Sequence, residues 1–531
     1  MDTNLIRRRI IQAGAMGSAT SLFGIPMHVL AQKAKGGLIV IGTTQKPRHL
    51  NSAVQSGIAT MQPAAQLFAF PLLMNAKWQP QPYLAESWEL SEDSRSIRMK
   101  LRENATFHDG RPITAEDLQF SIETIRENHP FKAMMGPVNA VTIEGKHVAV
   151  IRLSEPHPAL PLALSTSFAA VIPKHIYGDG QDVKRHPRNS NPVGSGPFKL
   201  VEFKPGQHII MDRHEGFFMP DQPLLDRIIV KEYKDGASLM LALEKGEIDV
   251  HPLLTDAREI KRAQAASNLN VEVASAPAIG PLLWLAFNTA DPKLADKRVR
   301  QAINFALDKD FLTNTLFGGV HKRATGPIAN GSPFYTSKVE HYALNLDKAN
   351  ALLDAAGVKP DASGTRLKLT LDAIPGNAMI KAAQEYAKPA LAKIGIDVEL
   401  RQSPDFPTWA KRVSSHAFEM TIDSVWNWGD PVIGVHRTWD SSNIRKGVIW
   451  SNTQSYKNDR VDAIIAQAGT ETSEAKRKKL YHELQRIVVD ECPVVFLNEI
   501  TFHVGWNKRI SSPPDSVWGV MTPLSKMSVS S

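Results

Sequence analysis

The sequence predicts an α/β protein of several sheets and at least two lobes, and three observations predict it. At 531 residues the chain exceeds the length over which one hydrophobic core keeps growing. Short alternating or apolar strand patterns intermix with capped amphipathic helices along its whole length. The composition, 43% apolar and 22% charged with no long low-complexity tract, is that of an ordinary globular chain. No apolar run reaches the ~18–20 residues of a membrane-spanning helix.

Residues 1–31 read as an address rather than as part of a fold. Arg7, Arg8 and Arg9 precede an Ala/Gly-rich apolar stretch, Pro26 follows, and Val29-Leu30-Ala31 occupies the cleavage positions. The run Arg7-Arg8-Arg9-Ile10-Ile11-Gln12 resembles a twin-arginine export signal, with an ordinary secretory signal as the alternative. Either way the mature chain is expected outside the cytoplasm, in the periplasm, after cleavage near Ala31. No Cys lies near that point, so no lipid anchor through an N-terminal cysteine is expected.

The mature chain opens with an apolar run over 36–42, read as a buried strand, and a polar loop over 43–52. Ile97, Met99 and Leu101 alternate with charged residues, the period of a half-buried strand. Thr114 begins a helix with Asp117 in the capping-box position and Leu118, Ile122 and Ile125 on its apolar stripe. The Gly- and Pro-dense stretch Asn191-Pro192-Val193-Gly194-Ser195-Gly196-Pro197-Phe198 dictates a tight connection. A helix over 237–245 stops at Gly246 and leads into a strand over 248–251. Val299, Ile303, Ala306 and Leu307 share one face of a helix predicted over 296–312, and a second capped helix covers 347–357. Leu367, Leu369 and Leu371 alternate as a strand, an Ala-rich helix follows over 378–394, and Ile396, Val398 and Leu400 complete a β-α-β unit. The last helix spans 473–489 with Leu480, Leu484, Ile487 and Val488 as its apolar residues.

Catalytic and metal patterns are missing: there is no HExxH, paired CxxC, Walker loop or GxSxG elbow. Of the 17 histidines, His208 and His214 flank a strand-like segment and read as surface residues. Ser195 lies in a tight turn with no recognisable base. The single cysteine, Cys492, reads as an inert core thiol and excludes an intramolecular disulfide. The net charge of +8 is distributed, and the densest basic run, residues 476–479, reads as one solvated helix face. No interleaved basic and aromatic stripe marks a nucleic-acid partner. No enzyme, cofactor or metal is expected.

One ordered set of motifs carries a resemblance. It comprises Pro82-Tyr83-Leu84-Ala85-Glu86-Ser87-Trp88, Phe107-His108-Asp109-Gly110, Thr114-Ala115-Glu116-Asp117-Leu118, Gly194-Ser195-Gly196-Pro197-Phe198, Gly246-Glu247-Ile248-Asp249-Val250, Phe287-Asn288-Thr289 and Val299-Arg300-Gln301-Ala302-Ile303-Asn304-Phe305-Ala306-Leu307-Asp308. In this order the chain resembles extracytoplasmic solute-binding family 5, which includes dipeptide-, oligopeptide-, glutathione- and nickel-binding proteins. The resemblance implies a two-lobed, type II-like periplasmic binding protein with a family-specific extra subdomain. A discontinuous lobe I would comprise 36–70, 190–277 and 492–531, an inserted subdomain 71–189, and lobe II 278–491. The hinge would lie at 276–281 and 493–499, and closure over a ligand would be read by an ABC permease complex in the inner membrane. The receptor is expected to be a monomer.

The resemblance also places the ligand. Asp423-Ser424-Val425-Trp426-Asn427-Trp428-Gly429-Asp430-Pro431 matches the segment where peptide-binding members pair an Asp with the peptide's ammonium group, but here that position is Asn427. A neutral amide loses the charge-assisted bond, leaving Asp430 as the substitute if the loop shifts. Trp426, Trp428 and Trp439 are three of the chain's ten tryptophans and lie within fourteen residues. They suit an apolar, aromatic or sugar-like wall. Thr44 and Gln45 would face them from the other lobe, with Asn288 and Trp284 as further candidates and strand packing as their alternative. The function implied is a receptor for a small peptide or peptide-like solute. The alternatives are a receptor for an opine, oligosaccharide or metal chelate, then a periplasmic chaperone or hydrolase.

Overall fold

The computed structural model describes residues 35–274, 276–511 and 515–530; the signal-peptide reading of residues 1–31 lies outside them. Two sheets organise the chain. The first has seven strands in the spatial order Leu269–Val273, His503–Asn507, Val250–Leu254, Leu38–Thr43, Arg227–Glu232, His208–Arg213 and Phe198–Lys204. The apolar run after Gly36 becomes its central strand, parallel to both neighbours, Arg227–Glu232 and Val250–Leu254. A strand paired on both sides needs two buried faces, which a continuous apolar run provides.

The second sheet orders Lys322–Arg323, Val494–Glu499, Pro281–Phe287, Met420–Trp426, Leu367–Ala373 and Ile396–Arg401. The expected β-α-β unit is its edge: Leu367–Ala373 and Ile396–Arg401 run parallel, joined by the helix Ala378–Ala392. A separate four-stranded antiparallel sheet, Ala85–Leu90, Ser96–Leu101, Val148–Leu153 and Val138–Gly145, is covered by the helix Ala115–Asn128. That helix starts as its sequence dictates, with Asp117 Oδ2 accepting the Thr114 backbone N–H at 2.9 Å in a capping box. The four-stranded sheet shares one hydrophobic core with the first sheet, while the second sheet has its own.

Gly194 and Gly196 show why the Gly/Pro stretch is needed. A Cβ at either would run into the backbone of residues 66–68, and the buried Ser195 Oγ accepts the Ala69 N–H at 3.0 Å. The hydroxyl is a strut in a connection.

Four expectations change. The helix predicted over 296–312 ends at Ala306, and Leu307 is extended. Asp308 stops it by accepting the N–H groups of Asp310 and Phe311 at 3.1 and 2.9 Å, which starts a wide turn over Phe311–Leu316. His214 is buried rather than on the surface: its ring stands edge-on to His108, and Nδ1 lies 3.2 Å from the Gly196 carbonyl. Arg477 does not belong to a solvated face. It lies with Tyr481, Leu484 and Val488 on the inner side of the helix Glu474–Glu491. Finally, Val494–Glu499 pairs along the second sheet with Pro281–Phe287, so the return crossing falls at residues 500–502 and not at 492 or within 493–499.

The two crossings run side by side. The first includes Ala274 and residues 276–280 and the second residues 500–502, and the Ala274 N–H donates to the Phe502 carbonyl at 2.9 Å. The Ile500 N–H donates to the Pro281 carbonyl, also at 2.9 Å. Pro281 in turn stands opposite Trp426 in the second sheet. The tryptophan loop therefore starts where the chain passes between the sheets.

Candidate ligand-binding cleft

The segment after Met420–Trp426 is shaped by backbone demands. The Asn427 N–H donates to the Ile279 carbonyl of the first crossing at 3.1 Å. Trp428 takes a left-handed conformation, φ 51°, and Gly429 follows at φ 84°. Such a φ is costly for tryptophan and is held by its surroundings. A Cβ on Gly429 would strike Leu162, which belongs to the segment following the four-stranded sheet. The loop thus reaches from the second sheet and its core (the second body) across to the core shared by the first and four-stranded sheets (the first body). Trp428 is 4% exposed, with ring centroids 5.6 Å from Phe131 and 5.3 Å from Phe168. The chain of the second body supplies this side chain, and the core of the first encloses it.

The carboxylate expected to serve as a substitute is already engaged. Arg477 Nη1 and Nη2 donate to Asp430 at 3.0 and 2.7 Å, and Asp430 also accepts the Val432 N–H at 3.0 Å. Burial pulls the Arg477 guanidinium down, but the Asp430 charge and hydrogen bonds outweigh it and raise its pKa above the ordinary arginine value. Around the pair, Tyr481 lies within 3.4 Å of Arg477 and 3.0 Å of His436 Nε2. Burial pushes His436 down to about 4, so this ring is neutral at pH 7. Asn427 is engaged as well: Oδ1 accepts the Ala329 N–H at 2.7 Å and Nδ2 donates to the Pro327 carbonyl at 3.1 Å. Its amide clasps residues 327–329.

Beside the loop stand four partly exposed groups, Trp426, Phe131, Phe502 and Arg437. Trp426 lies 5.2 Å from the Trp428 ring and 6.2 Å from Phe502. The Arg437 guanidinium lies 4.9 Å from the centre of the Phe131 ring, and Nε donates to the Gly434 carbonyl at 3.2 Å. Gly434 is itself required, because a Cβ there would overlap the Asn427 carbonyl. Burial lowers Arg437 to about 10.

The remaining expected residues fall in two places. Thr44 and Gln45 are exposed at the C-terminal end of Leu38–Thr43, and parallel Val250–Leu254 ends on the same side, opposite His503 after the return crossing. They therefore lie at the crossing edge of the first sheet, the strand end where open α/β sheets bind ligands. Trp439 and Trp284 instead pack against each other at 5.8 Å in the core of the second body, and the Trp284 indole N–H donates to buried Asp423. Asn288 sits at the far end of Pro281–Phe287, its amide donating to the His416 and Phe418 carbonyls at 3.2 and 3.1 Å. That is the opposite end of the strand from Trp426. Sequence reasoning missed Arg437, Phe131 and Phe502, which lie in three separate segments. Arg477 carried a signal, the 477, 481, 484, 488 spacing of an inward stripe. No group of three or more His, Cys, Asp or Glu side chains among the described residues is arranged to hold a metal ion.

A family model described as bacterial extracellular solute-binding proteins, family 5 Middle, matches residues 79–447. The chain belongs to this family. It is therefore an extracytoplasmic solute-binding receptor, and its two-lobed fold is that of solved members. The structure resembles the ABC transporter substrate-binding protein CtaP of Listeria monocytogenes with a TM-score of 0.81 at 23% identity, covering 94% of this chain and 100% of that one. NikA of Brucella suis, solved in complex with Fe(III)-EDTA, also gives 0.81, at 26% identity and covering 93% and 100%. Among curated relatives, the protein named "Probable D,D-dipeptide-binding periplasmic protein DdpA" of Escherichia coli is 28% identical over 440 residues, 80% of each chain.

Proposed function

We propose that this family 5 receptor works in the periplasm for an ABC importer, closing over a small peptide or peptide-like solute and presenting it unaltered to the permease complex of the inner membrane. The observation that carries the proposal is Trp428. It is held in a left-handed conformation by the second body and seated among Phe131 and Phe168 of the first, at the edge where both crossings pass. A side chain shared across two bodies makes their contact sensitive to whatever lies beside it, so a solute against Trp426 biases the pair toward closure. Thr44 and Gln45 supply the facing wall. Trp439 and Asn288, buried in packing elsewhere, take no part.

A second reading, a non-peptide solute such as an opine, an oligosaccharide or a metal chelate, is favoured by one specific observation. Both polar groups expected to meet an ammonium are occupied, Asn427 by backbone and Asp430 by Arg477. A thermal-shift panel of di- and oligopeptides, opines, sugars and metal chelates on the mature monomeric chain separates the readings. A tight ligand raises the melting temperature by mass action. Stabilisation by one class, with the solute recovered unchanged, is the expected result. Turnover of the bound compound, or no stabilisation by any class, refutes the receptor assignment. N-terminal sequencing of exported protein is expected to begin close after Ala31.

A further inference from the structure

Resting on the receptor reading above, we propose that the solute presents a carboxylate to Arg437, so that the site selects an acidic ligand rather than one anchored by its ammonium group. The case begins with donors. A guanidinium has five N–H donors and keeps its proton at any physiological pH. The other inward-facing arginines of the second body show what satisfying them takes. Arg300 reaches four carbonyls, those of Cys492, Leu294, Ala295 and Glu491, at 2.6 to 3.0 Å. Arg477 holds Asp430 with two nitrogens. Arg437 has the Gly434 carbonyl at 3.2 Å, a long 3.5 Å approach of Nη2 to the Trp426 carbonyl, and the face of Phe131. It forms no ion pair among the described residues, and burial alone, with no charged neighbour, depresses it.

Enclosing a guanidinium without an anion is costly, and a solute seated on this partly exposed one would enclose it. Its neighbours Phe131 and Trp426 are aromatic and partly exposed, and Phe502, also partly exposed, stands 6.2 Å from Trp426. The nearby carboxylate that would compete, Asp430, is spent on Arg477, and its charge is neutralised there. A solute carboxylate beside Trp426 would supply two acceptors in the fork geometry that arginine fits best. A free ammonium in the same place would meet a like charge and no acid.

The test uses matched dipeptide trios, including phenylalanine-containing sequences: the free dipeptide, its N-acetyl form and its C-terminal amide. Calorimetry on the mature chain is expected to show that N-acetyl acids bind at least as tightly as free dipeptides, and amides at least tenfold more weakly. Arg437→Gln is expected to lower the affinity for the acids about tenfold or more, with Arg437→Lys recovering part of it. Circular dichroism of the unliganded variants checks folding; if Arg437→Gln does not fold, the trios on the unmodified chain decide. Amides binding as well as acids, no acid binding at all, or acids indifferent to Arg437→Gln each overturn the proposal. Acid binding that is lost in Trp428→Ala but kept in Arg437→Gln overturns the charge assignment alone. Binding unchanged in both variants moves the solute out of this cleft and removes the site reading beneath it.

Discussion

Arg477 and Arg437 flank the same tryptophan loop and differ in one respect. Arg477 is 4% exposed and meets Asp430 through two hydrogen bonds, with Tyr481 and a neutral His436 closing the cluster. Arg437 meets an aromatic face, the Gly434 carbonyl and, at a longer 3.5 Å, the Trp426 carbonyl. The first guanidinium is compensated within the chain and so belongs to the architecture. The second is partly exposed and forms no ion pair among the described residues. On the proposal above, the member of the pair without an ion partner among the described residues is the one that meets the solute.

The largest effect expected from breaking this contrast is at Asp430. Asp430→Ala strands a buried cation and is expected to cost about 3–5 kcal/mol of stability, measured by chemical denaturation; a loss near zero would place Arg477 on the same footing as Arg437. Asn427→Asp comes next. It keeps the bond from the Ala329 N–H but sets a carboxylate oxygen against the Pro327 carbonyl, and is expected to destabilise by about 2 kcal/mol. Unfolding below pH 4 is expected to recover part of the loss, since a protonated Asp regains the donor. Affinity for amine-bearing solutes is not expected to rise, because the new charge points into the clasp at 327–329 and not toward Arg437.

Glu499, at the crossing edge, sharpens the point from the acidic side. Burial pushes its carboxyl up to about 7, with the Asn330 N–H at 2.8 Å acting against the shift. Its folded pKa lies above the unfolded one, so its stabilising share is full below pH ~4.5 and is lost as pH rises through about 7. Glu499→Gln is expected to flatten the fall in unfolding free energy between pH 5 and 8, by about 1–2 kcal/mol at the upper end, measured by chemical denaturation. A carboxyl in this position copes with burial by keeping a proton, whereas a guanidinium has no such escape. The smallest effect is at Arg437: Arg437→Gln is expected to leave the unliganded stability within about 0.5 kcal/mol or raise it slightly.

What the sequence disclosed follows from the range of each signal. Local rules held where the partner is near in the chain: the Thr114–Asp117 box, the parallel unit around the Ala378–Ala392 helix, and the glycines beside residues 66–68. Periodicity also assigns an inward side, but not what stands opposite. The run at 476–479 looked like surface because four adjacent cations point around the whole helix, and only one of them turns inward to an aspartate 47 residues away. Clustering of tryptophans was an equally partial guide. Trp426 and Trp428 do meet at the crossing edge, whereas Trp439, a few residues on, turns into a different core. The choice between the two is made by the short helices and the left-handed step at Trp428, which no composition rule specifies.

Cys492, fully enclosed in the left-handed cap between the last long helix and Val494–Glu499, has a consequence of its own. Burial raises its thiol to about 11 and shields it from reagent. The native chain therefore carries a silent sulfur whose alkylation requires the second body to open. Its labelling rate would serve as a clock for that opening, and a maleimide-reactive cysteine installed on any outer surface would be the sole fast-reacting handle, with no background to subtract.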